Sequence, residues 1–250
     1  MSEQIPLNQA FAARPNRFRL LEKGIVRMDS DGNDHKFLEV GCSQGDAAAY
    51  AARKDGYTVT AIDIDDQLIA LSKEKHRQEI VGGSLTFACA DAGAMPFEEE
   101  SFDGIYSEAA FSPLSKKEQV IKEYYRVLKR DGRILLNDFV IKSNMNELQR
   151  EEVVHIPCFA GVQTRECYMG LMEKAGFCCI YYKEEYGELI GITSWLCKTY
   201  HIQPGEIGGY LSKYFHNGGA SKCVAYGGKP DGEFFRKSQL TYCQMIFKKI

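Results

Sequence analysis

The chain predicts an α/β fold: a seven-stranded, mostly parallel sheet with helices on both faces. Three observations carry this expectation. Short apolar runs at 36–41, 58–63, 85–90, 102–108 and 132–140 alternate with stretches of helical periodicity. The centre of GRILLNDFV is continuously apolar, as in a strand buried on both faces. With 250 residues and 44% hydrophobic content, the chain can build one such core plus an elaboration, which disfavours a second independent core.

Strand one is read at 36–41. The alanine-rich helix 46–54, DAAAYAARK, follows with an acidic start that suits its dipole, and Gly56 is its C-cap. Strand two, 58–63, is rich in β-branched residues. Asp65 or Asp66 caps a helix to about residue 80, with Leu68, Ile69 and Leu71 on its buried side. Strands three and four are 85–90 and 102–108. Ser115 and Glu118 form a capping box before EQVIKEYYRVLK, and Asp131-Gly132 turns the chain into strand five, 132–140. Helices at 144–154 and 164–175, a sixth strand at 177–185 and a seventh at 241–249 complete the pattern. Between the last two strands, 187–239 holds two helical stretches and the glycine-rich GGKPDGE; an insertion of this length carries specificity or an interface. At the other end, 4–34 reads as one or two helices, with Phe11, Phe18, Leu20 and Leu21 inward.

Composition narrows the class. A net charge of −3 gives no global basic excess of the kind that steers proteins to nucleic acid or anionic membranes. Local basic groups, such as Lys122, Arg126, Lys129, Arg130 and Arg133, read as solvated surface. No stretch approaches membrane-spanning length, and the first residues lack the apolar core of a signal peptide, so a cytoplasmic protein without a membrane partner is expected. Nine cysteines in such a chain read as reduced thiols, and without any C-x-x-C no metal site is expected.

The motif that speaks to function is FLEVGCSQG followed by TVTAID. A strand runs into a glycine turn that opens a helix, and Asp63 stands at the tip of the next strand, where its carboxylate can accept both hydroxyls of a ribose. The glycines are Gly41 and Gly45, not the G-x-G-x-x-G that meets a pyrophosphate. The expected ligand is a nucleoside without phosphates.

These motifs, with ADAGAMPFEEESFDGIYS and YRVLKRDGRILLND in register after them, resemble class I S-adenosylmethionine (SAM) dependent methyltransferases of the small-molecule type, similar to quinone-ring and arsenite methyltransferases. The resemblance spans about 37–139. It implies a Rossmann-like sheet whose last strand is antiparallel, SAM as cofactor and a set of roles. Glu39 orients the amino end of SAM. Gly41 and Gly45, with Cys42 in the same turn, let the backbone pass under the ligand, and Asp63 takes the ribose hydroxyls. Asp91 and the amide of Ala92 read the adenine edge, Ile64 and Met95 pack on its faces, and Ser107 and Glu108 face the methyl donor. One domain over 1–250 follows: a cap at 1–35, a SAM-binding core at 36–186, an insertion at 187–240 over the acceptor, and the final strand at 241–250.

Methyl transfer mainly requires alignment and exclusion of water, so a base is optional. Candidate bases near the crevice mouth are Glu108, Asp138 and His155. The partner is a small-molecule acceptor, and the protein itself a monomer or homodimer. Pro157-Cys158 follows strand five rather than strand four, and strand four ends SEAAFSP, which together disfavour methylation of nucleic-acid bases. Two alternatives stand beside the main reading. Cys158 and Cys223 could serve a thiophilic substrate, as in arsenite methyltransferases, and the fold could bind cofactor without catalysis. Ser43 in place of a second glycine, with the adenine-edge motif at Asp91, argues against a nicotinamide dehydrogenase.

Overall fold

The computed structural model describes residues 10, 13–29, 35–153, 158–216 and 239–250. Seven strands form one sheet in the order β3-β2-β1-β4-β5-β7-β6. They are β1 (His35–Val40), β2 (Tyr57–Asp63), β3 (Leu85–Cys89), β4 (Phe102–Glu108), β5 (Leu128–Val140), β6 (Phe177–Glu184) and β7 (Thr241–Lys249). β7 alone runs antiparallel, between β5 and β6, and the other neighbouring pairs are parallel. The chain moves outward from β1 to β3 and then returns to the far side of β1 as β4. That reversal opens a crevice at the carboxyl ends of β1 and β4, the place where ligands of open α/β sheets bind.

The described helices are α1 (Arg19–Met28), α2 (Asp46–Ala52), α3 (Asp66–Lys75), α4 (Arg77–Val81), α5 (Lys117–Val127), α6 (Glu147–Val153), α7 (Arg165–Lys174), α8 (Tyr186–Tyr200) and α9 (Ile207–His216), with a short 3₁₀ turn at Pro204–Glu206. Strand alternation sorts the core into two layers. Leu38, Ile105, Ile134 and Leu136 face the side packed with Val120, Tyr124, Tyr168 and Met172 of α5 and α7. Phe37, Tyr106 and Leu135 face the opposite side, packed with Leu21, Ile25, Ala48 and Ala49 of α1 and α2. A third cluster, including Leu20, Phe139, Phe159, Ile192, Leu196, Tyr200 and Tyr242, joins the insertion helices to the ends of β5 and β7.

Several local expectations are corrected. The single helix after β2 breaks at His76, and its buried residues are Ile69 and Ser72 rather than Leu71, which is exposed. The break lets the buried His76 ring reach the carbonyl of Gln44 at 3.1 Å. No capping box forms at Ser115: α5 begins at Lys117, whose ammonium turns back to the carbonyls of Ser112 and Leu114. A box does form before α6, where Asn146 and Gln149 exchange side-chain to backbone hydrogen bonds at 2.9 and 3.0 Å. The expected Asp131-Gly132 turn after α5 lies within the span of β5, with Asp131 in the left-handed region. Thr164 caps α7 as a hydrogen-bond acceptor from Cys167, and Leu20 and Leu21 are buried as expected. Phe11 and GGKPDGE lie outside the described residues.

Candidate functional site

The turn after β1 is shaped by three left-handed residues, Gly41 (φ 78), Ser43 (φ 49) and Gly45 (φ 75). The amides of Gly41 and Cys42 both donate to the carbonyl of Ile62, tying the turn to the tip of β2. A Cβ on Gly41 would stand 2.4 Å from Cβ of Ala110, and one on Gly45 would stand 2.4 Å from a ring carbon of Phe87. Both glycines therefore have a packing reason within the protein itself. Cys42 is buried, and burial holds its thiol protonated well above the usual range.

Asp63 stands at the tip of β2 with its carboxylate already oriented. The Ser43 amide donates to Oδ2 at 2.8 Å and the Asp65 amide to Oδ1 at 3.1 Å. Next to it Ile64 is 72% exposed, an apolar side chain held in the open beside the crevice. Asp91 follows β3 and accepts the Gly93 amide at 2.8 Å in an Asx turn that includes Ala92. Met95, expected to pack on an adenine face, is buried in the core, its amide donating to Glu123 and its carbonyl accepting from Arg126.

At the switch point the structure brings two carboxylates together. Glu39, near the end of β1, is only 2% exposed and receives one long hydrogen bond, 3.3 Å, from the Tyr106 hydroxyl. Burial first, and the nearby Glu108 second, push its carboxyl well above the usual range. Glu108, at the end of β4, is half-buried and accepts 2.5 Å from Nδ2 of Asn137. Burial raises its carboxyl to about 8, against the lowering effect of the Asn137 bond, and the charge of Asp138 adds to the rise. Ser107, the neighbour of Glu108 on β4, is fully buried, and its hydroxyl has no hydrogen-bond partner among the described residues.

Asp138 is fully buried and accepts three backbone amides, from Phe111 and Ser112 at 2.9 and 2.8 Å and from Phe139 at 2.6 Å. It thereby pins the loop that leaves β4 to β5. His155 lies outside the described residues. Cys158 is half-buried, and burial pushes its thiol up to about 12, away from thiolate. Its expected companion Cys223 also lies outside the described residues, and among those described no cluster of three or more His, Cys, Asp or Glu could hold a metal ion.

The contacts between the N-terminal segment and α8 were the least legible in the sequence. Arg14 and Arg19 both bond Glu188 of α8, at 2.8 and 2.5 Å, and Trp195 donates 2.7 Å to the carbonyl of Ala10. The N-terminal segment is thus tied to the insertion by a buried acid. The sequence signal for Glu188 was a lone acid in the otherwise apolar GELIGI. Asn137 and Gln244 were also missed, as polar residues within the apolar runs ILLNDFV and TYCQMIF.

Residues 38–136 match a family described as a methyltransferase domain. The methyltransferase GfsG of Streptomyces halstedii is 30% identical over 161 residues, covering 63% of this chain and 58% of that protein. The ubiquinone/menaquinone biosynthesis C-methyltransferase UbiE of Pseudomonas putida (strain GB-1) is 27% identical over 128 residues, 50% of each. The match thus spans little more than half the length of these relatives. Among solved structures, the [4+2]-cyclase SpnF has a TM-score of 0.71 at 18% identity, covering 93% of this chain and 80% of that one. Geranyl diphosphate C-methyltransferase from Streptomyces coelicolor A3(2), solved with Mg2+, geranyl diphosphate and S-adenosyl-L-homocysteine, has 0.71 at 12%, covering 98% and 88%. At such identities the likeness concerns the fold. Sheet order, crevice and the match over residues 38–136 agree on the class: this part of the chain carries a methyltransferase domain. No helix among the described residues is long and apolar enough to cross a membrane.

Proposed function

We propose that the protein binds SAM across the tips of β1, β2 and β4 and directs methyl transfer to a small-molecule acceptor held beneath the N-terminal segment and α8. The observation that carries this reading is the pair Glu39 and Glu108, two carboxylates beside one another with only a phenol and an amide as hydrogen-bond partners among the described residues. Buried carboxylates without a cation are costly. A ligand carrying a sulfonium and an ammonium relieves that cost, whereas the pyrophosphate of a dinucleotide would worsen it.

SAM, when bound, supplies an electrophilic methyl group. The remaining work falls to the chain. Glu39 holds the ammonium end, Asp63 accepts the ribose hydroxyls with the lone pairs left by its two amide bonds, and the exposed Ile64 covers one adenine face. Asp91 and the Ala92 amide read the adenine edge, Met95 supports that wall from the core, and Ser107 gains a partner for its hydroxyl. Gly41, Cys42 and Gly45 hold the turn close to the ligand. Glu108 faces the acceptor and accepts its hydrogen bond or proton, and Asp138 keeps the β4 loop in place. The apolar side chains of Ile192, Leu196 and Tyr242, with relatives named for ubiquinone/menaquinone and geranyl diphosphate, favour an apolar acceptor.

Calorimetric titration of ligand-free protein with SAM, NADH and ATP tests the reading. SAM alone should bind, and Asp63→Ala should weaken it by more than about tenfold, the loss of charge-assisted hydrogen bonds. Preferential binding of NADH would overturn it.

A further inference from the structure

Two fully buried amides, Asn137 and Gln244, lie side by side where β5 and β7 pair, and Asn137 is also the register partner of Glu108 on β4. Their side chains form a continuous chain of hydrogen bonds. Nη1 of Arg27 on α1 donates to Oε1 of Gln244 at 3.0 Å, and Nε2 of Gln244 donates to Oδ1 of Asn137 at 3.0 Å and to the Leu20 carbonyl at 2.9 Å. Nδ2 of Asn137 then donates to Oε1 of Glu108.

The direction of this chain is imposed by its ends. A guanidinium can only donate, so Gln244 must turn its oxygen to Arg27. The Leu20 carbonyl can only accept, so the Gln244 nitrogen must face it. Asn137 therefore meets a donor on one side and has its own N–H left for Glu108. Burying two amides in a sheet contributes little that two apolar side chains would not, unless the bonds position something.

We propose that Asn137 and Gln244 are positioning residues for Glu108: the relay anchored at Arg27 delivers an N–H to one carboxylate oxygen and keeps the group turned toward the acceptor as a hydrogen-bond acceptor. This rests on the reading that Glu108 faces the methyl acceptor. No other described residue hydrogen-bonds the Glu108 carboxylate, which leaves the second oxygen for substrate. Its charged and titratable neighbours are Asp138 on β5, Glu39 on β1, Tyr106 on β4, Tyr242 on β7, Glu188 on α8 and Arg14 from the N-terminal segment. Of these only Arg14 opposes the rise in the Glu108 carboxyl, alongside Asn137.

The test is a carboxyl-carbon NMR titration of the whole protein, with the Glu108 signal assigned by its loss in Glu108→Gln. In the wild type the side-chain amide signals of Asn137 and Gln244 should move with the same midpoint as Glu108. Asn137→Leu should raise that midpoint by about one pH unit, since a bond that favours the ionised form is lost. Gln244→Met, which keeps volume and leaves Asn137 in place, should raise it less, and it carries the test if Asn137→Leu does not fold. Amide signals that stay still while Glu108 titrates, or a Gln244→Met midpoint equal to the wild type, overturn the relay. These signals require no cofactor or acceptor, so a failure of SAM to bind would count against the proposed function and not against the relay.

Discussion

Replacing Glu108 with glutamine should stabilise the unliganded protein in alkaline solution and leave it nearly unchanged in acid. In the folded chain the carboxyl titrates at about 8 rather than its ordinary 4.5, chiefly because it is buried. Between those values the native state holds the proton more tightly than the unfolded chain, so stability falls as pH rises. The contribution is whole below 4.5 and is lost as pH passes through about 8. At ~1.4 kcal/mol per pH unit this interval sets a ceiling of ~5 kcal/mol. Solvent at the half-exposed side of Glu108 reduces it to ~2 kcal/mol. Glu39 adds in the same direction, because removing the charge at 108 also eases its own ionisation. Glutamine retains an oxygen for Asn137, so the comparison isolates charge. Urea denaturation of both proteins from about pH 5 to about pH 9, followed by circular dichroism, should show curves that converge in acid and separate by ~2 kcal/mol in base. Parallel curves, or a separation that opens on the acid side, would refute the argument that two under-partnered carboxylates share this crevice.

Two further substitutions probe the frame around the site. Asp138→Ala strips the acceptor from the amides of Phe111, Ser112 and Phe139 and should cost ~3 kcal/mol or more, read as a fall in melting temperature; an unchanged melt would remove Asp138 from the loop's support. Gly45→Ala places a methyl 2.4 Å from Phe87 at a φ of 75° and should cost ~1–3 kcal/mol. Part of that cost should return in the Gly45→Ala/Phe87→Leu double variant, and strictly additive effects would show that the contact is not the cause.

Elements whose information is local were legible in the sequence. The strand runs around Leu38, Ile62 and Ile105 needed only apolar periodicity, and Asp63 announced itself by following one such run at the right distance from Gly41. The capping box at Ser115 is absent because α5 starts later, at Lys117, whose ammonium bonds the carbonyls of Ser112 and Leu114 in the same loop. The helix after β2 broke at His76 because a buried ring had a carbonyl to reach in another element. The first competitor lies within five residues, whereas the second lies 32 residues away and is invisible in a local window.

The sequence by itself determined the sheet, the crevice at its carboxyl edge and the acidic groups that line it, since period, turn chemistry and charge are properties of neighbouring residues. Only the tertiary structure separated the carboxylates by task. Asp138 and Glu108 are both acids at strand ends, yet one meets three backbone amides and the other a single side-chain amide. That difference arises from partners far apart in the chain, Arg27, Asn137 and Gln244 among them, which become neighbours only when β7 inserts beside β5.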